Sequence, residues 1–491
     1  MEILSNISLI LNPTTFGLIL GSTIVGVLIG ALPGLSSGMA IALLLPFTIY
    51  LEPSQAIAAM AALYCGGTFG GSITAILINA PGAPPAAATA FDGFPMAQKG
   101  QAGKALGMAA VSSVVGGIIS LAVLIIFAPT LARIAYKFGP PEYFALAIFG
   151  LSMLASISSK SPVKNLIGGL IGLFVATIGV HLTTGISRFT FGVAELFEGI
   201  SFVPVLIGLF AMSEILVQAS KSELLLERIK FSAIKLPSIS EFKSCVKTIL
   251  RSSGIGTFIG ILPAEGGTVS AMIGYNEARR WSKNKDNFGK GEIEGVAAPE
   301  SANNAVSGPT MIPLLTLGIP GSTIAAILIG VFLIHGIQVG PTIFATSKEL
   351  VYGLFACGLL GIVTYGIIGY FFGPLLGRII AVLSPNMIYP FVLITGFIAA
   401  YSARQSLFDV GLAILFGVIG YLLRLTGYSL PALLIAFVLA RNAEEAFRQS
   451  LLLSEQGIGI FLNRPIAIAF FVVGLIVLFF RIKTKDKSLE D

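Results

Sequence analysis

Apolar residues come in long blocks along this chain rather than alternating with polar ones. No Asp, Glu, Lys or Arg occurs from Ile3 to Leu51, Pro53 to Phe91, Ala105 to Ala132, Ala302 to Ser347 or Leu350 to Gly377. A spanning helix needs ~20 apolar residues to cross ~30 Å of hydrocarbon. Most of these blocks exceed that length, and several hold two spans. Fifteen apolar segments lie between Thr15 and Phe480, some of them short and ended by Pro or Gly. The pattern predicts an all-α integral membrane protein with about 11–13 transmembrane helices, together with broken or half-helices.

Composition agrees. Of 491 residues 55% are hydrophobic and 11% charged, against ~25% charged in soluble domains. Gly 57 and Pro 25 make up about one residue in six. In water such residues weaken helices, whereas in a bilayer neighbouring helices and hydroxyl side chains satisfy the freed backbone groups. The net charge of +6 does not point to nucleic acid, because the basic residues sit in short connectors, where they set orientation. Lys221–Arg251 and the tail beginning at Arg481 are basic and read as cytoplasmic, which puts the N-terminus outside. No Lys or Arg precedes the first apolar run, so that run is expected to serve as its own insertion signal rather than as a cleaved peptide. Cys65, Cys245 and Cys357 are far apart and read as free thiols.

Two stretches resemble each other. Gly26-Val-Leu-Ile-Gly30-Ala-Leu-Pro33 matches Gly256-Thr-Phe-Ile-Gly260-Ile-Leu-Pro263, and Asn79-Ala-Pro81-Gly82 matches Gly318-Ile-Pro320-Gly321. The polar insert Asn284–Gly291 accounts for the difference in spacing. The chain therefore divides into a first transmembrane repeat (1–220), a basic cytoplasmic linker (221–251), a second repeat (252–480) and a cytoplasmic tail (481–491). With the N-terminus outside and the linker inside, the two repeats are inverted, and their paired breaks mark a candidate solute site.

Each break carries neutral polar residues where a membrane helix is otherwise bare. Ser36 follows Pro33-Gly34. Ser72, Thr74 and Asn79 surround the second break, and Ser322 and Thr323 follow Gly321. Their hydroxyl and amide groups suit carboxylate oxygens or Na⁺. Glu300, Asn303, Asn304 and Ser307 fall at i, i+3, i+4 and i+7 and share one helix face. A carboxyl at membrane depth is costly, which makes Glu300 and Glu265 candidates for ion coupling. Asn303, Asn304 and Ser307 are candidate solute ligands. Phe91–Lys99 reads as an ordered loop outside the hydrocarbon, and the single Trp281, beside Arg279 and Arg280, as an interface anchor. Gly34-Leu-Ser36-Ser-Gly38 fits the G-x-S-x-G nucleophile elbow, but only His181 and His335 are present, each in an apolar setting, so no enzyme is expected.

Several motifs resemble the TctA family, the large membrane subunit of tripartite tricarboxylate transporters. They are Gly30-Ala-Leu-Pro-Gly34, Asn79-Ala-Pro-Gly-Ala-Pro-Pro85, Asp92-Gly-Phe-Pro-Met96, Glu294-Gly-Val-Ala-Ala-Pro-Glu-Ser-Ala-Asn-Asn304 and Leu317-Gly-Ile-Pro-Gly321. The likeness covers nearly the whole chain. It implies a multi-pass inner (cytoplasmic) membrane permease for carboxylates such as tricarboxylates, without a cofactor and driven by a cation gradient of Na⁺ or H⁺. It also implies two partners, a small membrane subunit (TctB-like) and a periplasmic solute-binding protein (TctC-like). The second copy departs from the first at Pro263-Ala264-Glu265, where the first has Pro33-Gly34; a carboxylate there bears on ion coupling and solute choice. A passive channel, or a carrier for another small solute working without a binding protein, is the alternative; saturable, gradient-dependent uptake, which a pore would not show, tells a channel apart.

Overall fold

The computed structural model describes residues 12–32, 34–156, 161–181, 184–220, 236–262, 266–382 and 385–486. Helices account for most of it. The first half holds α1 (Pro13–Gly30), α2 (Ser37–Leu44), α3 (Pro53–Ile78), α4 (Ala87–Gln98), α5 (Ala102–Ala135), α6 (Pro140–Met153), α7 (Pro162–Ala176) and α8 (Phe202–Ala219). Between α7 and α8 two short strands, β1 (Gly179–Val180) and β2 (Ser187–Arg188), pair antiparallel. The second half opens with α9 (Ile239–Ile261), α10 (Gly266–Trp281), α11 (Glu294–Val306), α12 (Met311–Leu317) and α13 (Thr323–Ile334). Next is α14 (Lys348–Ile367), which runs through a π turn at Ile368–Phe372 into Gly373–Val382. Last come α15 (Pro385–Arg404), α16 (Leu407–Leu425), α17 (Leu430–Leu452) and α18 (Pro465–Asp486).

Among the described residues six helices are by themselves long and apolar enough to span a bilayer: α1, α3, α5, α8, the α14 run and α16. The other apolar elements are shorter, more polar or interrupted. The 3₁₀ turn Gly457–Asn463 meets Pro465–Phe480 at 86°. Broken helices of this kind are what the short Pro- and Gly-ended segments anticipated.

The two glycine-spaced helices pack alike. A Cβ at Gly26 would strike the Leu63 carbonyl oxygen and one at Gly30 the Gly67 carbonyl, so α1 lies backbone to backbone on α3. A Cβ at Gly256 would strike the Ala302 carbonyl in the same way, which sets α9 against α11. Small residues at such crossings let helices approach where no aqueous hydrophobic drive exists. The second pair of matched positions also shares a conformation. Asn79 ends α3 at φ 53° and Gly318 ends α12 at φ 71°, both in the left-handed region.

Two segments differ from their sequence reading. Phe91–Lys99 is not a loop: Ala87–Gln98 is helical and Asp92 is fully buried. The Asp92 carboxylate accepts from the Tyr275 hydroxyl at 2.9 Å and from the backbone N–H groups of Gly291 and Glu292, each at 2.8 Å. These bonds hold the segment in the protein instead of in water. The second difference is at the linker. Helix α9 begins inside the 221–251 stretch, because Ser238 and Glu241 form a capping box there. Residues 221–235 lie outside the described residues, as do Pro33, Pro263, Ala264, Glu265 and the end of the tail.

Candidate functional site

The polar stripe on α11 meets the first half of the chain. Glu300 is fully buried, and three hydroxyls donate to its carboxyl group. Ser72 of α3 donates to Oε1 at 2.6 Å, Thr89 of α4 to the same oxygen at 2.5 Å, and Ser113 of α5 to Oε2 at 2.9 Å. Among the described residues no Lys, Arg or His stands in contact with this carboxyl. Close packing brings the elements together: a Cβ at Gly116 would strike the Ser301 carbonyl oxygen, which seats α5 directly on α11.

One turn further along, α11 ends. Pro309 lacks an N–H, and Ser307–Thr310 form the turn that separates α11 from α12. The break is satisfied from α5, where the Ser120 hydroxyl oxygen accepts from Gly308 N at 2.5 Å. Here lies a cavity of about 60 Å³, lined by Tyr64, Cys65, Ser120, Asn304, Ser307 and Tyr365 among others. It has room for a few waters. Asn304 lines the cavity one helical turn beyond Glu300, and its Nδ2 donates to the Glu300 main-chain carbonyl oxygen at 3.1 Å. Tyr365 forms the far wall. Its hydroxyl donates to the Ser113 carbonyl at 2.8 Å, and its ring stacks on Phe69 with centroids 5.4 Å apart.

The structure thus gathers Ser72, Glu300, Asn304 and Ser307 into one region. Asn303 is buried on α11 with its Oδ1 near Gly267 at the start of α10. Thr74 is buried two residues from Ser72, and its hydroxyl has no hydrogen-bond partner among the described residues. Other candidates hold helix ends. Ser36 accepts from Met39 N as the N-cap of α2, and Ser322 accepts from Ala325 N as the N-cap of α13, with Thr323 as the first residue of that helix. Asn79 is the exposed C-cap of α3. Glu265 falls outside the described residues. Tyr64, Thr89, Ser113, Ser120 and Tyr365 were not singled out from the sequence. Ser113 and Ser120 carried a signal, as hydroxyls inside the charge-free Ala105–Ala132 run; a tyrosine in an apolar helix carries none.

A helical, multi-pass membrane protein with a carboxyl group sequestered among hydroxyls one turn from a helix break has the architecture of a membrane transporter. The comparisons with known proteins agree. The model of the tripartite tricarboxylate transporter TctA family matches residues 16–435. A protein of Agrobacterium vitis, described as an uncharacterized 52.8 kDa protein in the TAR-I ttuC' 3'region, is 36% identical over 500 residues, covering 100% of this chain and 98% of its own length. A second Agrobacterium vitis protein, described as an uncharacterized protein in the TAR-II ttuC' 3'region, is 34% identical over 238 residues, which is 48% of this chain and 97% of its own length. No solved structure matches the chain. The chain belongs to the TctA family: it is a membrane subunit of a tripartite tricarboxylate transporter, and not an enzyme.

Proposed function

We propose that the chain is a cation-coupled permease for small carboxylates such as tricarboxylates, acting in the inner membrane with a small membrane subunit and a periplasmic solute-binding protein. Family membership supports the solute class and the partners. The observation that carries coupling is the Glu300 carboxyl, buried among Ser72, Thr89 and Ser113 with no basic partner among the described residues. An uncompensated charge at this depth is costly. The group is therefore neutralised through part of the cycle by a bound proton or Na⁺.

The solute binds next to it, at the α11–α12 break. Asn304 and Ser307 supply neutral hydrogen bonds, with Asn303 one position along. A tricarboxylate is larger than the cavity between these residues, so the break opens to admit it. Asn304 lines the cavity and bonds the Glu300 main-chain carbonyl, which links the two sites through one turn of α11. The two halves, matched at Gly26/Gly256 and Asn79/Gly318, act as inverted repeats that move against each other to alternate access.

Uptake of labelled carboxylates into proteoliposomes tests this reading, with an imposed Na⁺ or pH gradient and with the binding protein present or absent. Saturable, gradient-dependent accumulation is expected. Glu300→Gln should insert normally yet lose gradient-driven accumulation by tenfold or more, and wild-type accumulation in that variant would remove Glu300 from the coupling site.

A further inference from the structure

A second feature lies away from this site, in the segment between α7 and α8. One side of the segment is ionic. Arg188 of β2 makes a two-pronged pair with Glu444 of α17, Nη1 to Oε1 at 2.6 Å and Nη2 to Oε2 at 3.2 Å. His181 Nε2 lies 3.3 Å from Glu444 Oε1 and 3.1 Å from Arg448 Nη1. The other side is apolar and uncovered: Ile186, Phe189 and Phe191 are exposed, Phe191 at 89%. Phe189 and Phe191 adopt φ of 54° and 50°, while Thr190 between them is buried. A left-handed backbone is unfavourable for bulky residues, and here it turns both rings outward around an inward threonine.

The apolar side continues an exposed apolar stripe on α7. Val163, Ile167, Leu170 and Phe174 are all exposed and fall at i, i+4, i+7 and i+11, one stripe along α7. The opposite face of α7 packs on α17, with Gly168 against the Ser429 carbonyl and Gly172 against that of Leu433. In a membrane-spanning chain such a stripe meets acyl chains. Phe174 is its last residue, and the Phe189 ring lies 5.2 Å from that of Phe174, centroid to centroid.

We propose that Ile186, Phe189 and Phe191 insert at the boundary between headgroups and hydrocarbon, so that this segment is an interfacial anchor clamped to α17 by Arg188–Glu444. Aromatic rings favour that zone, and an element with one apolar and one charged side lies in its plane. The occupant of the apolar side is the bilayer, because the stripe it extends is an uncovered apolar helix face in a multi-pass membrane protein.

The test uses the full chain with its single tryptophan moved. Trp281→Phe combined with Phe191→Trp is reconstituted into phosphatidylcholine–phosphatidylglycerol vesicles. Emission is expected to be blue-shifted relative to tryptophan in water, shielded from iodide, and quenched at least twofold by lipids brominated close to the headgroup. A water-like emission that iodide quenches and brominated lipid does not would overturn the proposal. Shielding that appears only when a protein partner is added, or only at high protein density in the vesicle, would also overturn it, in favour of docking or self-association. If the tryptophan variant does not fold, a nitroxide on Phe191→Cys in a chain freed of its other cysteines reports the same position. Greater accessibility to oxygen than to an aqueous nickel chelate supports the anchor, and the reverse order rejects it.

Discussion

Ser72 donates a 2.6 Å hydrogen bond to Glu300 across 228 positions of the chain. The carboxyl belongs to the second half, and every hydroxyl donating to it belongs to the first, so the state of this one group is felt by both. A hydrogen bond to a charged group contributes ~1.5–3 kcal/mol. Removing one hydroxyl, as in Ser72→Ala, Thr89→Val or Ser113→Ala, should therefore shift the half-saturating concentration of the coupling ion by about tenfold or more. The sign identifies the ion. Loss of a donor weakens binding of Na⁺, which needs the carboxylate charged and the hydroxyl oxygen as a ligand, but strengthens binding of a proton. Uptake measured against Na⁺ at fixed pH, and against pH without Na⁺, reads both; no shift in either would place coupling elsewhere.

Asn304 lines the cavity and donates to the Glu300 main-chain carbonyl, whereas Asn303 faces Gly267. Asn304→Ala should raise the apparent KM for the carboxylate about tenfold by loss of one polar contact to an anion. Because its amide also braces the Glu300 carbonyl, the ion dependence should change with it. Asn303→Ala should alter KM less. Initial-rate uptake at varied solute and cation compares them, and equal effects would argue against Asn304 as the link.

Asp92 holds Tyr275 and the backbone of Gly291 and Glu292 from a fully buried position. Asp92→Ala leaves three donors without a partner and should destabilise the protein by ~3 kcal/mol or more. Tyr275→Phe removes one hydroxyl and should cost ~1 kcal/mol. Thermal unfolding in mild detergent measures both, and similar small losses would mean that water replaces the carboxylate.

Lys104 and Glu241 meet at 2.6 Å, where the start of α9 faces α5 at the edge of the helical bundle. The Lys104 ammonium, and after it the Ser238 N–H, hold the Glu241 carboxyl down to about 2. A carboxyl depressed on folding contributes stability that is full above its unfolded value of ~4.3. That contribution fades as pH falls from there toward about 2. Thermal stability should therefore drop between pH 5 and 3 by a larger margin in the wild type than in Glu241→Gln. Above pH 6 the variant should be less stable, by ~1 kcal/mol for the lost cap. Parallel melting profiles across this range would show that the pair is screened by solvent.

Gly30 lies against the backbone of Gly67 with no space for a Cβ. Gly30→Val should prevent α1 from seating on α3, with a loss above ~3 kcal/mol, because the obstructing atoms are backbone and cannot rotate away. Gly17, which meets nothing within 4 Å, should accept valine with little change. Yield of folded, monodisperse protein separates the two.

The class of protein follows from the sequence alone. Charge-free runs longer than a bilayer is thick leave no other solvent for the chain, and the glycine, proline and hydroxyl positions within them mark where its helices approach and break. Three of the family motifs, at Gly30–Gly34, Asn79–Pro85 and Leu317–Gly321, lie in those same breaks. The stripe Glu300, Asn303, Asn304, Ser307 is equally local, since helical geometry alone places these residues on one face. What surrounds the stripe is not local. Ser72, Thr89 and Ser113 reach Glu300 only because α3, α4 and α5 pack on α11, and sequence separation carries no trace of that approach. Tertiary packing also separated the candidates that meet Glu300 or the cavity from Ser36, Asn79 and Ser322, which cap helix ends, a role open to the same residue types. It likewise drew Asp92 out of an expected loop into a buried clasp, because a carboxylate that finds three donors inside the protein no longer needs water.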